Sequence, residues 1–561
     1  MIKTQKNAVK NVLYLLLGGV VFVAVYGFAP LDITYDGWIL NGYIETDITQ
    51  SYAGWLAYLK ADSLFPLTFS PLAAYPFGDW ASLTDSSPIF AVIFKLLSPV
   101  LPANFQFFGI SGCFSMAMQA LAASLLLRLF CSDERQVFFG SVLFCVSPVM
   151  LERMFRHTSL ASHWLVVMAL YLYFKGKTDR KTVAVKLGVL CVLTIFIHTY
   201  FAPMVVGVFL ASLLDGIRSR KAGYSECITF AVSLVLCFVS MKVLGLLSMS
   251  VGDTSGYGTM GMNLNALFNP VSLDTNWWVP GGGKLHWSSV LPIRALANNN
   301  IESFNYLGLG VLLSLVCFGV HLIYLLFKNR TKLWGWIKDV FANHLFLVLF
   351  LVCCTLFAVS NVVCAFSYQL FTIPLPAPVL KLFNVFRASG RLFWPVNYIL
   401  LMLSIVHWNG IEKSSKKIAV AAVAVMLAVQ LVDLSPALAR KHSDFEVKTE
   451  YYNNANATAF VDAVGENDIA YFLELREDRA LTAVLFKNGI ANNLWLVNRE
   501  GYGVGQNTDN MHYVTQKLLS GTDVYQSCAY ITTNAALAQQ ICDTGSFGCV
   551  EVNGNYIIKP L

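Results

Sequence analysis

Charge is what this sequence lacks. Of its 561 residues only 13% are Asp, Glu, Lys or Arg, where a soluble domain carries roughly 25%. That little charge cannot solvate the surface of a soluble protein of this length. With 56% hydrophobic residues, the composition makes lipid the solvent for most of the chain. The net charge of +6 comes from basic residues scattered among short loops, which excludes the clustered footprint of a nucleic-acid binder. No C-x-x-C pair occurs among the 13 cysteines. Most of them, such as Cys113, Cys145, Cys191 and Cys237, sit in apolar runs and read as small buried hydrophobes. Only Cys528, Cys542 and Cys549 lie in the polar tail. A Cys542–Cys549 bridge is open to them in an oxidising compartment, but three cysteines cannot all pair within one chain.

Long apolar runs are what the sequence has instead. The first, residues 11–29, follows Lys3, Lys6 and Lys10 and has no small-residue cleavage site, so it reads as a retained helix rather than a signal peptide. Further spans are expected at 103–130, 136–151, 158–174, 183–198, 200–215, 226–248, 304–327, 343–366, 392–408 and 417–435. That makes about eleven. Residues 88–101 are apolar but too short to span and fit a helix lying in the interface. With the N-terminus cytoplasmic, every loop on the inner side is basic, from Arg128–Arg135 to Lys413–Lys417. The opposite loops are longer, more aromatic and more acidic, as the positive-inside rule requires. Residues 30–102, 249–303 and 367–391 are then outer loops of a membrane domain covering 1–437.

Residues 438–561 change character: charge rises and apolar runs shorten. Ile469–Leu475, Asn493–Val497 and Tyr525–Thr532 read as strands, and Asn553-Gly554 as a two-residue hairpin turn. The fold expected is a polytopic α-helical membrane protein with a C-terminal extracytoplasmic α/β domain. Its place would be the plasma (inner) membrane of a bacterium, with that domain periplasmic.

The outer loops hold the candidate chemistry. Asp32, Asp36, Glu45, Asp47, Asp79 and Asp85 are interleaved with Trp38, Tyr43, Tyr52, Trp55 and Trp80. Carboxylates among rings suit a carbohydrate, which stacks its apolar faces and offers hydroxyls to an acceptor or base. An ordinary solvated loop with an interfacial aromatic belt has the same composition. Asp47 opens an amphipathic stretch expected to lie on the membrane surface. A second cluster, Glu152, Arg153, Arg156, His157 and His163, falls at an outer hairpin, its histidines six residues apart rather than at the spacing of a helical metal pair. Glu302 and Tyr306 are four apart and would share a helical face, with Glu302 favoured by the helix dipole. Arg387 and Arg391 are also four apart, a spacing that suits a phosphate clamp or a lipid-headgroup anchor. The apolar, Pro-broken segment before them could wall a groove for a lipid tail. Asp433 and Lys242 are weaker candidates.

Four motifs carry a resemblance: TDITQSYAGW with Asp47 and Gln50, TDSSPIFAVIFKLLSP with Asp85, RHTSLASHWL with His157 and His163, and FRASGRLFWPVNY with Arg387 and Arg391. With YLGLG at Tyr306 they resemble, over about residues 10–435, a bacterial family catalogued as a domain of unknown function with the fold of GT-C membrane glycosyltransferases. Where that family more often has Gly and His, this chain has Thr46 and Ser51. The resemblance implies transfer of a hexosyl or pentosyl group from a polyprenyl-phosphate-linked donor to a glycan, lipid or protein acceptor at the outer face. Asp47 or Asp85 would be catalytic. Gln50, Trp55, His157, His163, Glu302 and Tyr306 would contact substrate, and Arg387 and Arg391 the lipid phosphate. No cofactor is certain, and a divalent metal stays open. Two other classes compete: a transporter or flippase for lipid-linked sugars, and a non-catalytic envelope assembly protein acting through its tail. A transporter tends to show internal repeats and mid-membrane charges. No clear repeat is present, and most candidate charges lie at the outer ends of spans, which favours surface chemistry.

Overall fold

The computed structural model describes residues 2–40, 47–176, 179–248, 256–272, 285–297, 302–411, 415–446, 454–494 and 504–561. The apolar runs form helices because a chain in lipid must satisfy its backbone polar groups internally. The first helix, α1, is Ile2–Tyr26. In the loop that follows, α2 (Asp47–Lys60) and the short apolar α3 (Pro88–Leu97) form. The bundle continues with α4 (Phe108–Leu127), α5 (Glu134–Cys145), α6 (Pro148–Arg153), α7 (Trp164–Lys175), α8 (Arg180–Ile197), α9 (Phe201–Arg218) and α10 (Tyr224–Val243). After a long loop come α11 (Leu309–Lys328), α12 (Arg330–Val359), α13 (Ala377–Phe383), α14 (Trp394–Val406), α15 (Lys416–Asp433) and α16 (Ser435–Glu446).

Among the described residues eight helical stretches are long and apolar enough to cross a membrane, or nine if the bent pair Lys416–Asp433 and Ser435–Phe445 is one span. The chain is therefore a multi-pass membrane protein, but the count differs from eleven. The runs at 158–174 and 183–198 fall short. Helix α7 has only 12 residues, about 18 Å at 1.5 Å per residue against a hydrocarbon core of about 30 Å. Helix α8 carries Arg180, Lys181 and Lys186 within its 18 residues. Helix α12 is two helices meeting at a kink, where His344 has φ −140° and ψ 23°. Asp215 fills the gap by accepting from the amides of Phe346 and Leu347 at 3.1 and 3.4 Å, so a buried carboxylate caps the second half.

The long loops gather at one end of the bundle. Ser82 donates to the Leu244 carbonyl at 2.5 Å, and the Ala388 amide donates to the Tyr200 hydroxyl at 3.1 Å. At the other end Lys10 and Arg128 both hold Glu134, at 2.9 and 2.7 Å.

Residues 454–561 build a five-stranded mixed sheet in the order β6-β5-β7-β9-β8. It is made of β5 (Ile469–Phe472), β6 (Ala491–Asn492), β7 (Cys528–Thr532), β8 (Phe547–Val552) and β9 (Asn555–Pro560), with the small hairpins β1/β2 (Phe69–Ser70, Asp79–Trp80) and β3/β4 (Val362–Ala365, Tyr368–Thr372) lying earlier in the chain. Asn553 and Gly554 both have positive φ, 52° and 75°, between the paired residues Val552 and Asn555. That is the mirror-image turn an Asn-Gly pair favours, because its twist matches the strands. Glu45, Tyr43 and the residues 495–497 of the expected second strand lie outside the described residues.

This α/β unit is knitted to the first loop. The Tyr75 amide donates to the Asn492 carbonyl and the Asn492 amide to the Leu72 carbonyl, both at 3.0 Å. Its helix α18 (Arg479–Lys487), which follows α17 (Asn454–Val464), lies against α2. Residues Ile48–Tyr58 of α2 are all buried. The expectation that α2 rests on the membrane surface is thereby corrected: α18 covers the face that lipid would have met.

Candidate functional site

Asp47 sits in the first turn of α2, where the helix dipole favours a carboxylate. Its Oδ2 lies 2.9 Å from His157 Nδ1, and its Oδ1 lies 3.2 Å from Nη1 of Arg479, at the start of α18. Glu477 holds the same guanidinium at 2.8 Å. Asp47 keeps about a quarter of its side-chain surface exposed.

Asp85 approaches from a loop folded back on α2. Ser86 donates to the Ser51 carbonyl and shares a hydrogen bond with Thr84, both at 2.7 Å. The approach needs Gly54, since a Cβ there would meet Thr84 Oγ1 at 1.9 Å. Asp85 itself takes a left-handed conformation (φ 67°), uncommon outside Gly, Asn and Asp. Its Oδ1 accepts from Ser159 Oγ at 2.6 Å and lies 2.9 Å from His198 Nε2, and its Oδ2 lies 3.7 Å from His157 Nδ1. Burial pushes this carboxyl up, but His198, then His157 and Ser159, together hold it below the ordinary carboxylate value. Five segments far apart in sequence thus bring two carboxylates, two imidazoles and a guanidinium to one place.

A second charged cluster lies deeper. Glu302 is held by Arg153 and by Arg391, whose Nη2 and Nε are 2.5 and 3.3 Å from its two oxygens. All three side chains are buried. Burial raises the Glu302 pKa, and the two guanidiniums more than reverse this, holding it well below the usual range. The Arg391 guanidinium also stacks over the Tyr200 ring, 4.9 Å from its centroid.

Several expected roles are corrected by these placements. Arg391 is committed to Glu302 rather than open to a phosphate. Arg387 does not share a helical face with it, because Ala388 between them is non-helical with ψ 63°. Glu302 and Tyr306 lie in an irregular, non-helical segment before α11, so they share no helical face and Glu302 meets no helix dipole. The Tyr306 hydroxyl donates to Asp433 at 2.6 Å. Asp433 also accepts from the Leu309 amide at 2.9 Å, so it caps α11. Trp55 is fully buried and donates to the Phe105 carbonyl at 2.9 Å, so it packs and offers no open ring to a sugar. Trp38 likewise packs edge-on against Phe155 at 4.7 Å. His163 is buried with its Nδ1 2.8 Å from the Tyr398 hydroxyl, apart from His157. Asp32 accepts from the Thr34 amide and hydroxyl in a local turn. Asp36 accepts from Tyr52 at 2.7 Å and pairs with Lys487. Gln50 is buried beside the site, and its Oε1 has no hydrogen-bond partner among the described residues.

Two site residues escaped the sequence reading. His198, which opens a short polar break between two apolar runs at the loop end, carried a usable signal. Arg479, 432 residues from Asp47, carried none. Among the described residues no group of three or more His, Cys, Asp or Glu is arranged to hold a metal ion. The carboxylates and imidazoles of the site face one another at hydrogen-bond distance.

The chain is similar to the oligosaccharyltransferase of Archaeoglobus fulgidus in its apo form, at 11% identity and a TM-score of 0.42, over 96% of this chain and 73% of that one. It is similar too to AglB, the oligosaccharyltransferase of the same archaeon, in complex with an inhibitory peptide and a dolichol-phosphate, at 11% identity and a TM-score of 0.42, over 98% of this chain and 74% of that one. No curated protein matches it. Residues 15–435, holding every element of the site except Arg479, match the family described as Domain of unknown function (DUF6311), and the chain belongs to that family.

Proposed function

We propose that this protein is a glycosyltransferase that moves a sugar from a polyprenyl-phosphate-linked donor to an acceptor at the outer face of the membrane. The observation that carries the reading is the convergence of Asp47, Asp85, His157, His198 and Arg479 where the bundle meets its large loops. Two carboxylates with imidazole partners supply what acid–base transfer to a hydroxyl needs.

Asp47 is the better base. It is the more exposed of the two, and an acceptor hydroxyl can reach it. Asp85 has its Oδ1 engaged by Ser159 and His198, and its depressed pKa makes it a poor proton acceptor. Its work is to orient the imidazoles. In the step, the acceptor O–H gives its proton to Asp47 as its oxygen bonds the anomeric carbon. The bond from that carbon to the phosphate oxygen breaks, and polyprenyl phosphate leaves with the electron pair. His157 and His198, when protonated, and Arg479 are the cationic groups of this cluster that can stabilise the departing charge.

The test is lipid analysis of cells lacking the protein, complemented with wild type or Asp47→Asn. A polyprenyl-phosphate sugar that accumulates in the null and the Asn strain, and falls with wild type, supports the reading. An Asn strain that matches wild type removes Asp47 from catalysis and moves the transporter or scaffold readings ahead.

A further inference from the structure

An apolar groove opens on the side of the bundle between α3, α8 and α10, with a cavity volume of about 580 Å³. Ile89 and Val92 of α3 form one wall, Val192 and Phe196 of α8 the other, and Val232 and Leu236 of α10 the far side. Its floor is narrow for a reason the sequence carries. Gly188 lets α10 come close to α8, since a Cβ there would lie 2.4 Å from Ser233 Oγ. Along α8 the lining runs from Val185 to Phe196, about 16 Å at 1.5 Å per residue.

The head of this groove is not arbitrary. Phe196 lies two residues before His198, and α3 begins three residues after Asp85. Those two residues are joined at 2.9 Å. Both walls therefore lead to the same carboxylate–imidazole pair. A hydrocarbon chain lying in the groove would carry its head to the site. The Pro-broken segment expected to wall such a groove does not line this one.

We propose that this groove holds the isoprenoid chain of a polyprenyl phosphate, entering sideways from the bilayer with its phosphate toward His198. The inference rests on the transfer reading for its choice of lipid. The continuity of the walls with the site is what favours a headgroup-bearing substrate over an ordinary acyl chain, which would need no such connection.

The full-length protein in nanodiscs of phosphatidylethanolamine and phosphatidylglycerol is irradiated with a polyprenyl phosphate carrying a diazirine on a proximal isoprene unit. Labelled peptides are then mapped by mass spectrometry. We expect labels on α8 and α10 that excess unlabelled polyprenyl phosphate removes. Val192→Trp, which fills the groove, should cut labelling at least ~10-fold. Val189→Trp at the exposed rim is the second variant, should the first fail to fold, and Val320→Trp on α11 is the control expected to label like wild type. Labels spread evenly over all lipid-facing helices overturn the proposal. So does a diazirine phosphatidylethanolamine that occupies the groove and is not displaced by polyprenyl phosphate. Turnover is scored separately. Groove labelling without sugar transfer sinks the transferase reading and leaves the lipid site. Transfer that persists at wild-type efficiency in a groove-filled variant sinks the lipid site and leaves the transferase.

Discussion

Two charged clusters sit near each other at the loop end of this bundle, and they are built on opposite principles. In the Glu302 cluster one carboxylate is shared by Arg153 and Arg391, and all three are buried. Such groups stay ionised across any ordinary pH, so they lock segments together and exchange no protons. In the Asp47 cluster the partners of the carboxylates include two imidazoles, and the carboxylates and imidazoles retain partial exposure. Imidazole changes charge near neutrality. Burial with guanidinium makes a rivet, while partial exposure with histidine makes a site that can pass a proton.

This contrast can be broken by experiment. The largest effect belongs to the exposed cluster: Asp47→Asn should lower sugar transfer by ~10²–10⁴-fold while leaving the thermal midpoint in detergent unchanged. If it melts the protein instead, Asp47 is a rivet too. Glu302→Gln should do the reverse. Leaving two buried guanidiniums short of their counter-charge costs about 3–5 kcal/mol, read as a lower midpoint or loss of folded protein. Its pH dependence has a definite sign. Glu302 is depressed in the fold, so its contribution is fully present above its unfolded pKa of about 4.3 and fades only as pH falls below that. The gap between wild type and Glu302→Gln should therefore be constant from pH 8 to 5 and close only in strong acid.

A smaller effect is expected where the two halves of the chain meet. Arg479→Gln removes one charged hydrogen bond to Asp47, worth about 1.5 kcal/mol, and should slow transfer about tenfold. Arg479→Lys should recover part of that loss. An unchanged rate in Gln would confine the C-terminal unit to a structural part. The smallest effect tests Asp79, an acid whose charge is met by a backbone amide rather than by a cation. Burial pushes Asp79 up to about 6, only partly opposed by the Trp80 amide. A raised acid binds its proton more tightly when folded, so its burden on stability grows as pH rises from about 4 to 6 and is constant above. Asp79→Asn should raise the midpoint by a few degrees at pH 7.5 and leave it unchanged near pH 4. A rise at both pH values would assign the gain to packing instead.

Much of this molecule was legible in order of residue. Every long apolar run became helix, because lipid leaves the backbone no alternative. The Asn553-Gly554 hairpin followed from local sterics alone. Asp47, Asp85 and His157 were candidates from residue type and position, and the fold joins them. Two of the misreadings share one cause, which is that spacing in sequence stands for spacing in space only inside a regular helix. Glu302 with Tyr306, and Arg387 with Arg391, have helical spacing on segments that are not continuous helix. Trp55 and Trp38 look like sugar platforms until the surrounding aromatic side chains bury them.

By itself, then, the sequence determined the solvent, the helices, the turn and the end of the bundle where carboxylates collect. These follow from composition, periodicity and local sterics. Tertiary structure decided which carboxylates are riveted and which are reachable. It brought His198 to Asp85 and set Arg479 against Asp47 across 432 residues. A buried charge takes its meaning from the partners around it, and those partners are supplied by packing between segments that the linear order keeps apart.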